Sequence, residues 1–176
     1  MKMFRIGLVI NLFLMTATFA GEFRLGSLFQ NHMVLQRDMP VPIWGTADAG
    51  DRIRVEFVDQ PKTTQADAKG RWQVRLDPMS ASLTSRVLKV SAIVKSMVET
   101  RECFDVLVGE VWICSGQSSM QYGVGSVPEI KELVPNQKNL RTFSVKRTVA
   151  FTEQNTLEGQ WQAQGPESAV AFSLGN

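Results

Sequence analysis

The stretches Arg52-Ile53-Arg54-Val55-Glu56-Phe57 and Arg71-Trp72-Gln73-Val74-Arg75-Leu76 alternate polar and apolar side chains without a break. Successive side chains of a β-strand point to opposite faces of a sheet, so each stretch predicts a strand with one buried face. The residues predicted to be buried are Ile53, Val55, Phe57, Trp72, Val74 and Leu76. Turn signals that contain glycine, at residues 49–51 and 68–70, precede the two stretches. Together these patterns predict a small antiparallel β-sandwich in residues 21–104.

The pattern changes near Cys103. Residues Val106 to Cys114 are almost continuously apolar, which is typical of a strand covered on both faces. A short turn with a glycine follows at residues 115–119. Pro128 to Leu133 then predicts a short helix, with proline in its first turn, and Leu140 to Val145 predicts a second strand. A buried strand, a sharp turn and a helix form the start of an α/β unit.

The predicted fold class is therefore α+β, or mixed. An antiparallel β-sandwich in residues 21–104 is followed, in residues 105–176, by the first βα unit of an α/β domain. A parallel sheet needs several strands and helices on both faces to bury its apolar surface. We therefore expect residues 105–176 to be an incomplete α/β domain.

Residues 1–20 predict a signal peptide. Lys2 and Arg5 give a positive start, residues 6–15 are mainly apolar, and small residues precede a plausible cleavage site before Gly21. The apolar run is about half the ~20 residues that a spanning helix requires, although a membrane anchor is the alternative. We expect the protein to be exported to the periplasm or the extracellular space.

The charge balance of the sequence argues against a nucleic-acid-binding protein. Removal of residues 1–20 would leave 17 basic and 17 acidic residues, a balance that offers no electrostatic footprint for nucleic acid. We also expect no membrane contact after cleavage.

Cys103 and Cys114 lie in apolar surroundings and are interpreted as two separate core thiols, with a disulfide as the alternative. No CxxC pair or histidine cluster is present, so the sequence predicts no metal site and no cofactor.

Ser118 is the candidate nucleophile. It follows the predicted buried strand and lies two residues after Gly116, in a turn that would carry its hydroxyl to the edge where ligand sites of open α/β folds collect. The competing interpretation is a helix N-cap, in which the hydroxyl only satisfies a backbone N–H.

Four segments resemble the sialate O-acetylesterase family. Leu28 to Asp38 (LFQNHMVLQRD) and Pro40 to Gly45 (PVPIWG) are similar to the opening of that family. Val108 to Ser118 (VGEVWICSGQS) is similar to its nucleophile segment, and Gly70 to Trp72 fits the region between them. The resemblance covers nearly all of residues 25–165 and implies a β-sandwich joined to a hydrolase domain of the SGNH type.

The resemblance also implies an activity and a site. The activity is removal of O-acetyl groups from sialic acid or related acetylated sugars of a plant or host glycan. Ser118 is implied as the nucleophile, with its backbone N–H as one oxyanion donor, and Gly116, Gln117 and Ser119 as the supporting motif. Ser119 stands where the family usually has asparagine, and a hydroxyl has fewer hydrogen-bonding groups than a carboxamide.

The family's catalytic histidine and aspartate lie further along its chains. His32 is the single histidine here and precedes the first sandwich strand, so we interpret it as a loop or core residue and not as a base. Asp105 and Glu110 are interpreted as solvated or turn-forming charges. The polypeptide is therefore expected to be inactive without a C-terminal hydrolase part. The alternative is an exported, non-catalytic sandwich that binds carbohydrate or another partner.

Export gives the first testable prediction. If residues 1–20 are a signal peptide, mass spectrometry of the exported protein will find Gly21 as the first residue. Protein that is recovered intact from the cytoplasm, beginning at Met1, would contradict it.

Overall fold

The structure, a computed structural model, describes residues 22–94, 97–116, 139–146, 148–154 and 156–163. These ranges contain ten β-strands and no helix. The strands are β1 (Arg24–Leu25), β2 (Val34–Gln36), β3 (Val41–Thr46), β4 (Arg52–Phe57), β5 (Gln60–Gln65), β6 (Arg71–Leu76), β7 (Ser82–Val94), β8 (Met97–Gly109), β9 (Arg141–Val145) and β10 (Gly159–Ala163).

The strands form two sheets and a separate ribbon. One sheet has five strands in the order β2-β8-β7-β4-β5, the other has three in the order β1-β3-β6, and β9 pairs with β10. Every pair is antiparallel except β2 with β8, which is parallel and places Val34 opposite Leu107. The five-stranded sheet is therefore mixed.

The two sheets share one apolar core. Ile53, Val55 and Phe57 of β4 and the alternate residues of β6 are buried, as predicted, and they join buried residues of β3, β7 and β8 in a single cluster. The intervening Arg52, Arg54, Gln73 and Arg75 are exposed, as the alternation requires. At one margin Lys62 of β5 forms an ion pair with Asp77 at 2.7 Å, which ties the end of β6 to the five-stranded sheet.

The predicted α+β fold class is wrong for the part of the chain that the structure describes. That part is all β, and its five-stranded sheet includes a parallel pair where a purely antiparallel sandwich was predicted. Among the described residues no βα unit begins after Cys103, and Val106 to Gly109 are instead the last residues of β8 in the five-stranded sheet. The helix predicted from Pro128 to Leu133 lies outside the described residues, and the division into residues 21–104 and 105–176 stays a prediction.

The buried strand predicted from Val106 to Cys114 is correct only in its first half. Val106, Leu107 and Val108 are buried, as expected for a strand covered on both faces. The strand then ends at Gly109, and the apolar run continues into solvent. The strand predicted from Leu140 to Val145 is present as β9, but it pairs antiparallel with β10 and does not extend a parallel sheet.

The β9–β10 ribbon lies against the segment between β1 and β2. The Gln30 amide donates to the carbonyl of Gly159 at 3.0 Å, and the Trp161 indole donates to the carbonyl of Leu28 at 2.8 Å. Phe143 meets Trp161 edge to face, with ring centroids 5.4 Å apart. On the other side of this segment, its own Phe29 packs edge to face against Trp44 of β3. Residues 27–32 therefore lie between the core and the ribbon.

A matched pair of isoleucines tests the assignment of faces. Ile53 is fully buried in β4, whereas Ile93 of β7 is 48% exposed and lies beside Arg52 on the outer face. Ile53→Ala should lower the free energy of unfolding by about 2–5 kcal/mol, because it removes buried methylenes and leaves a cavity. Ile93→Ala should change it by only about 0.5 kcal/mol. Urea unfolding measures both, and equal losses would contradict this arrangement of the sheet.

Candidate active-site region

The predicted nucleophile segment follows β8 directly. Residues 110–116 form no regular structure, and Trp112 and Ile113 are 82% and 95% exposed. Gly116 is exposed at the end of this stretch, whereas Gln117, Ser118 and Ser119 lie outside the described residues. The role of Ser118 as nucleophile and of its neighbours as supporting residues therefore stays a prediction.

The first residue after β8 is fixed by an ion pair. Glu110 accepts a hydrogen bond from Nε of Arg37 at 2.5 Å, and the Arg37 guanidinium also pairs with Asp38 at 3.0 Å. The Arg37 guanidinium, followed by the Gln36 amide, holds the pKa of the Glu110 carboxyl below its ordinary value. Glu110 is therefore a paired surface charge, which agrees with its interpretation as a solvated group.

His32 belongs to a charged cluster that the sequence did not predict. Its Nδ1 lies 2.8 Å from Oδ2 of Asp105, and the same oxygen accepts a hydrogen bond from the guanidinium of Arg141 at 3.0 Å. The backbone N–H of His32 also donates to the carbonyl of Phe104 at 2.9 Å. The cluster joins the loop before β2, the middle of β8 and the start of β9.

A β-bulge turns the side chain of Asp105 toward His32 and Arg141. Phe104 and Asp105 of β8 oppose the single residue Val87 of β7, and the backbone of Asp105 has a φ of +54°. His32 has a φ of +68°. Left-handed backbone is uncommon for residues other than glycine, although aspartate and histidine are among those that tolerate it. No sequence signal marks the cluster, because a bulge has no simple pattern and residues 32, 105 and 141 are far apart in the chain.

The cluster favours the ionised form of Asp105. The hydrogen bond from His32 is the largest influence and Arg141 adds to it, so the pKa of Asp105 lies below its ordinary value despite partial burial. The Arg141 side chain is only 10% exposed. A charge buried to this extent needs a partner of opposite sign, and Asp105 is that partner. The arrangement orients the imidazole and connects the β9–β10 ribbon to the five-stranded sheet. It supports a structural role for His32.

The two cysteines are in different environments. Cys103 is buried, and burial raises the pKa of its thiol to about 11. Cys114 is exposed, so the interpretation as core thiols is correct for Cys103 alone. Both are free.

Trp112 is the most exposed tryptophan of the described residues, and the others are more enclosed. Trp72 is buried, and Trp44 and Trp161 are partly buried against the core.

Among the described residues, no group of three or more His, Cys, Asp or Glu side chains has the arrangement of a metal site. Within the same ranges, no helix has the length and hydropathy needed to span a membrane.

Comparison with known proteins gives a consistent set of relatives. The chain is 33% identical over 148 residues to the sialate O-acetylesterase of Rattus norvegicus, covering 78% of this chain and 27% of the relative. It is 35% identical over 127 residues to the human sialate O-acetylesterase, covering 68% of this chain and 24% of the relative. The chain thus spans about a quarter of the length of these curated relatives. No family model matches the chain.

A solved structure extends this likeness to the fold. The crystal structure of a carbohydrate acetylesterase from Xanthomonas citri is similar to this chain with a TM-score of 0.77 and 33% sequence identity. The match covers 87% of this chain and 35% of the Xanthomonas citri chain.

Asp105→Asn tests the cluster. Asparagine keeps the shape of the side chain and tolerates the left-handed backbone, but it leaves Arg141 without its counter-charge. The substitution should lower the free energy of unfolding at pH 7 by about 1–3 kcal/mol. The pKa of Asp105 is lower in the folded protein than in the unfolded chain, so the ionised carboxylate stabilises the fold. This stabilisation is fully present above the pKa of the unfolded chain and is lost as pH falls through the pKa of the folded protein.

The difference between wild type and Asp105→Asn should therefore shrink in acid. Asp77→Asn, which breaks an exposed pair with Lys62, is the matched control and should cost less than about 1 kcal/mol. Chemical unfolding between pH 7 and pH 2 measures these values. A pH-independent difference would show that the Asp105 charge is not the stabilising feature.

Proposed function

This chain is homologous to the sialate O-acetylesterase family over the part that it spans, which confirms the resemblance found in its sequence, and from this premise we propose that it is the N-terminal part of an exported carbohydrate acetylesterase. The proposed reaction is hydrolysis of an acetyl ester on a sugar, with O-acetylated sialic acid as the specific substrate. The observation that carries the proposal is the similarity of this chain both to mammalian proteins named sialate O-acetylesterase and to a bacterial carbohydrate acetylesterase of known structure. Export is proposed from residues 1–20.

Ser118 is the proposed nucleophile. Its Oγ would attack the acetyl carbonyl, its proton would pass to a base, and the sugar hydroxyl would leave to give an acetyl-serine that water then hydrolyses. The route of the chain supports this role, because β8 leads into an exposed segment that ends, within the described residues, at Gly116. A nucleophile that must meet a sugar ester needs such access to solvent.

The base is proposed to come from further polypeptide. His32 is the single histidine of the sequence, and its Nδ1 is held by Asp105, whose carboxylate also balances Arg141. An unactivated serine hydroxyl is a weak nucleophile, and a general base is typically worth 10²–10⁴-fold in rate. Residues 1–176 by themselves are therefore proposed to be inactive.

A chimera tests the proposal. Residues 1–163 of this chain would be joined to the remainder of the Xanthomonas citri carbohydrate acetylesterase, which begins after the part that this chain matches. The chimera should release acetate from a chromogenic acetyl ester and from O-acetylated sialic acid, because its nucleophile and the relative's later residues are then in one polypeptide.

Two substitutions separate the roles of the side chains. In the chimera, Ser118→Ala should lower kcat/KM by at least about 10³-fold, whereas His32→Gln should leave it within about threefold. Residues 1–176 alone should show no turnover above their Ser118→Ala variant. A chimera that is folded by circular dichroism but inactive, or equally active with alanine at position 118, would contradict the proposal. Retained sugar binding in that case would favour the non-catalytic module.

A further inference from the structure

The parallel pairing of β2 with β8 ends where the predicted nucleophile segment begins. The last paired residues are Gln36 and Gly109, and the backbone N–H of Arg37 adds one more hydrogen bond, to the carbonyl of Gly109 at 3.0 Å. Beyond this point residues 110–116 belong to no strand. Their direction must then be fixed by other contacts.

The side chain of Gln36 takes over the role of the missing strand partner. Its carbonyl oxygen accepts a hydrogen bond from the backbone N–H of Val111 at 2.8 Å, and its amide nitrogen lies 3.2 Å from Oε2 of Glu110. An amide side chain has the same donor and acceptor as a peptide group, so it can continue the ladder for one more residue. Arg37 holds the other carboxylate oxygen of Glu110.

Apolar burial does not compete with these contacts. Val111, Trp112 and Ile113 are all exposed in the described part of the chain. With little buried area to orient the segment, its polar contacts at Glu110 and Val111 decide the angle at which it leaves the sheet. Residues 36 and 37 therefore control the start of the segment, and Ser118 follows Glu110 by only eight positions.

We propose that Gln36 and Arg37 are positioning residues that set the path of residues 110–116, the segment that precedes the proposed nucleophile Ser118 in the sequence. The role in catalysis rests on the proposed function, whereas the effect on residues 110–116 does not. The proposal also gives a physical reason why two segments far apart in the sequence both resemble the esterases. The contacts of Gln36 and Arg37 with Glu110 and Val111, here called the clamp, join residues 28–38 to residues 108–116.

The chain contains a natural position for a probe. Cys114 is exposed within the segment, whereas Cys103 is buried with its pKa raised to about 11, so a methanethiosulfonate nitroxide should label Cys114 selectively at pH 7. Mass spectrometry of wild type and Cys114→Ser would verify the position of the label. Electron paramagnetic resonance then reports the mobility of residue 114 without any need for enzymatic activity.

Two substitutions break the clamp by different means. Gln36→Met keeps the length of the side chain but removes the hydrogen bonds of the amide to Glu110 and Val111, and Arg37→Glu places two carboxylates together. In each, the rotational correlation time of the label should fall by about twofold or more. The charge-swapped double variant, Arg37→Glu with Glu110→Arg, should restore much of the wild-type spectrum.

Arg54→Glu is the matched control. Arg54 forms a similarly exposed ion pair with Glu56, at 3.0 Å on the outer face of β4, and its loss should leave the spectrum unchanged. An unchanged label spectrum in both Gln36→Met and Arg37→Glu would overturn the proposal. So would unfolding of both variants, measured by circular dichroism, because the residues would then support the fold as a whole.

The active chimera adds a kinetic readout. There, Gln36→Met should lower kcat by about 10–100-fold with little change in KM, because a small displacement of a nucleophile affects the reaction more than binding. A mobilised label together with an inactive chimera would sustain the clamp and contradict the proposed function. A mobilised label with an unchanged kcat would overturn the positioning role of Gln36 and Arg37.

Discussion

The parallel pairing of β2 with β8 is the constraint on which the rest of the described structure depends. Val34 lies opposite Leu107, so a three-residue strand near the start of the chain is fixed beside the last residues of the longest hairpin. This pairing places residues 27–32 over the core, where they receive the β9–β10 ribbon. It also places Gln36 and Arg37 beside Glu110 and Val111. Without it, neither the charged cluster nor the contacts at the end of β8 would form.

Local patterns in the sequence were enough to predict two of the strands that form the core, β4 and β6. The alternation in β4 and β6 predicted both the strands and the faces that they bury, because a period of two residues is a direct consequence of strand geometry. The run from Val106 to Cys114 was misleading for a physical reason. Apolar composition predicts burial, but it does not show where a sheet runs out of partners, and here the partner strand β2 ends at Gln36.

The features that the sequence did not predict depend on contacts between distant residues. Asp105 turns toward His32 and Arg141 because of a bulge. The strand β10 was missed because Trp161 is the one large apolar residue among its five, too few to mark a buried face. The candidate nucleophile came from a family resemblance and from its place after a buried strand. The residues that hold the start of its segment became visible only when the side-chain contacts of Gln36 were known.

The separation of β2 and β8 in the sequence has a consequence for how the protein acquires its structure. The β4–β5 and β7–β8 hairpins join neighbouring stretches of chain. Val34, by contrast, must pair with Leu107, which lies 73 positions later in the sequence, with the β4–β5 hairpin and β7 between them. Closing so long a loop is entropically costly, and non-local pairings of this kind form slowly. We therefore expect β2 to join a sheet that is already assembled. Until β8 is in place, residues 34–36 lack their strand partner, and an unpaired strand backbone is open to incorrect pairing with another chain.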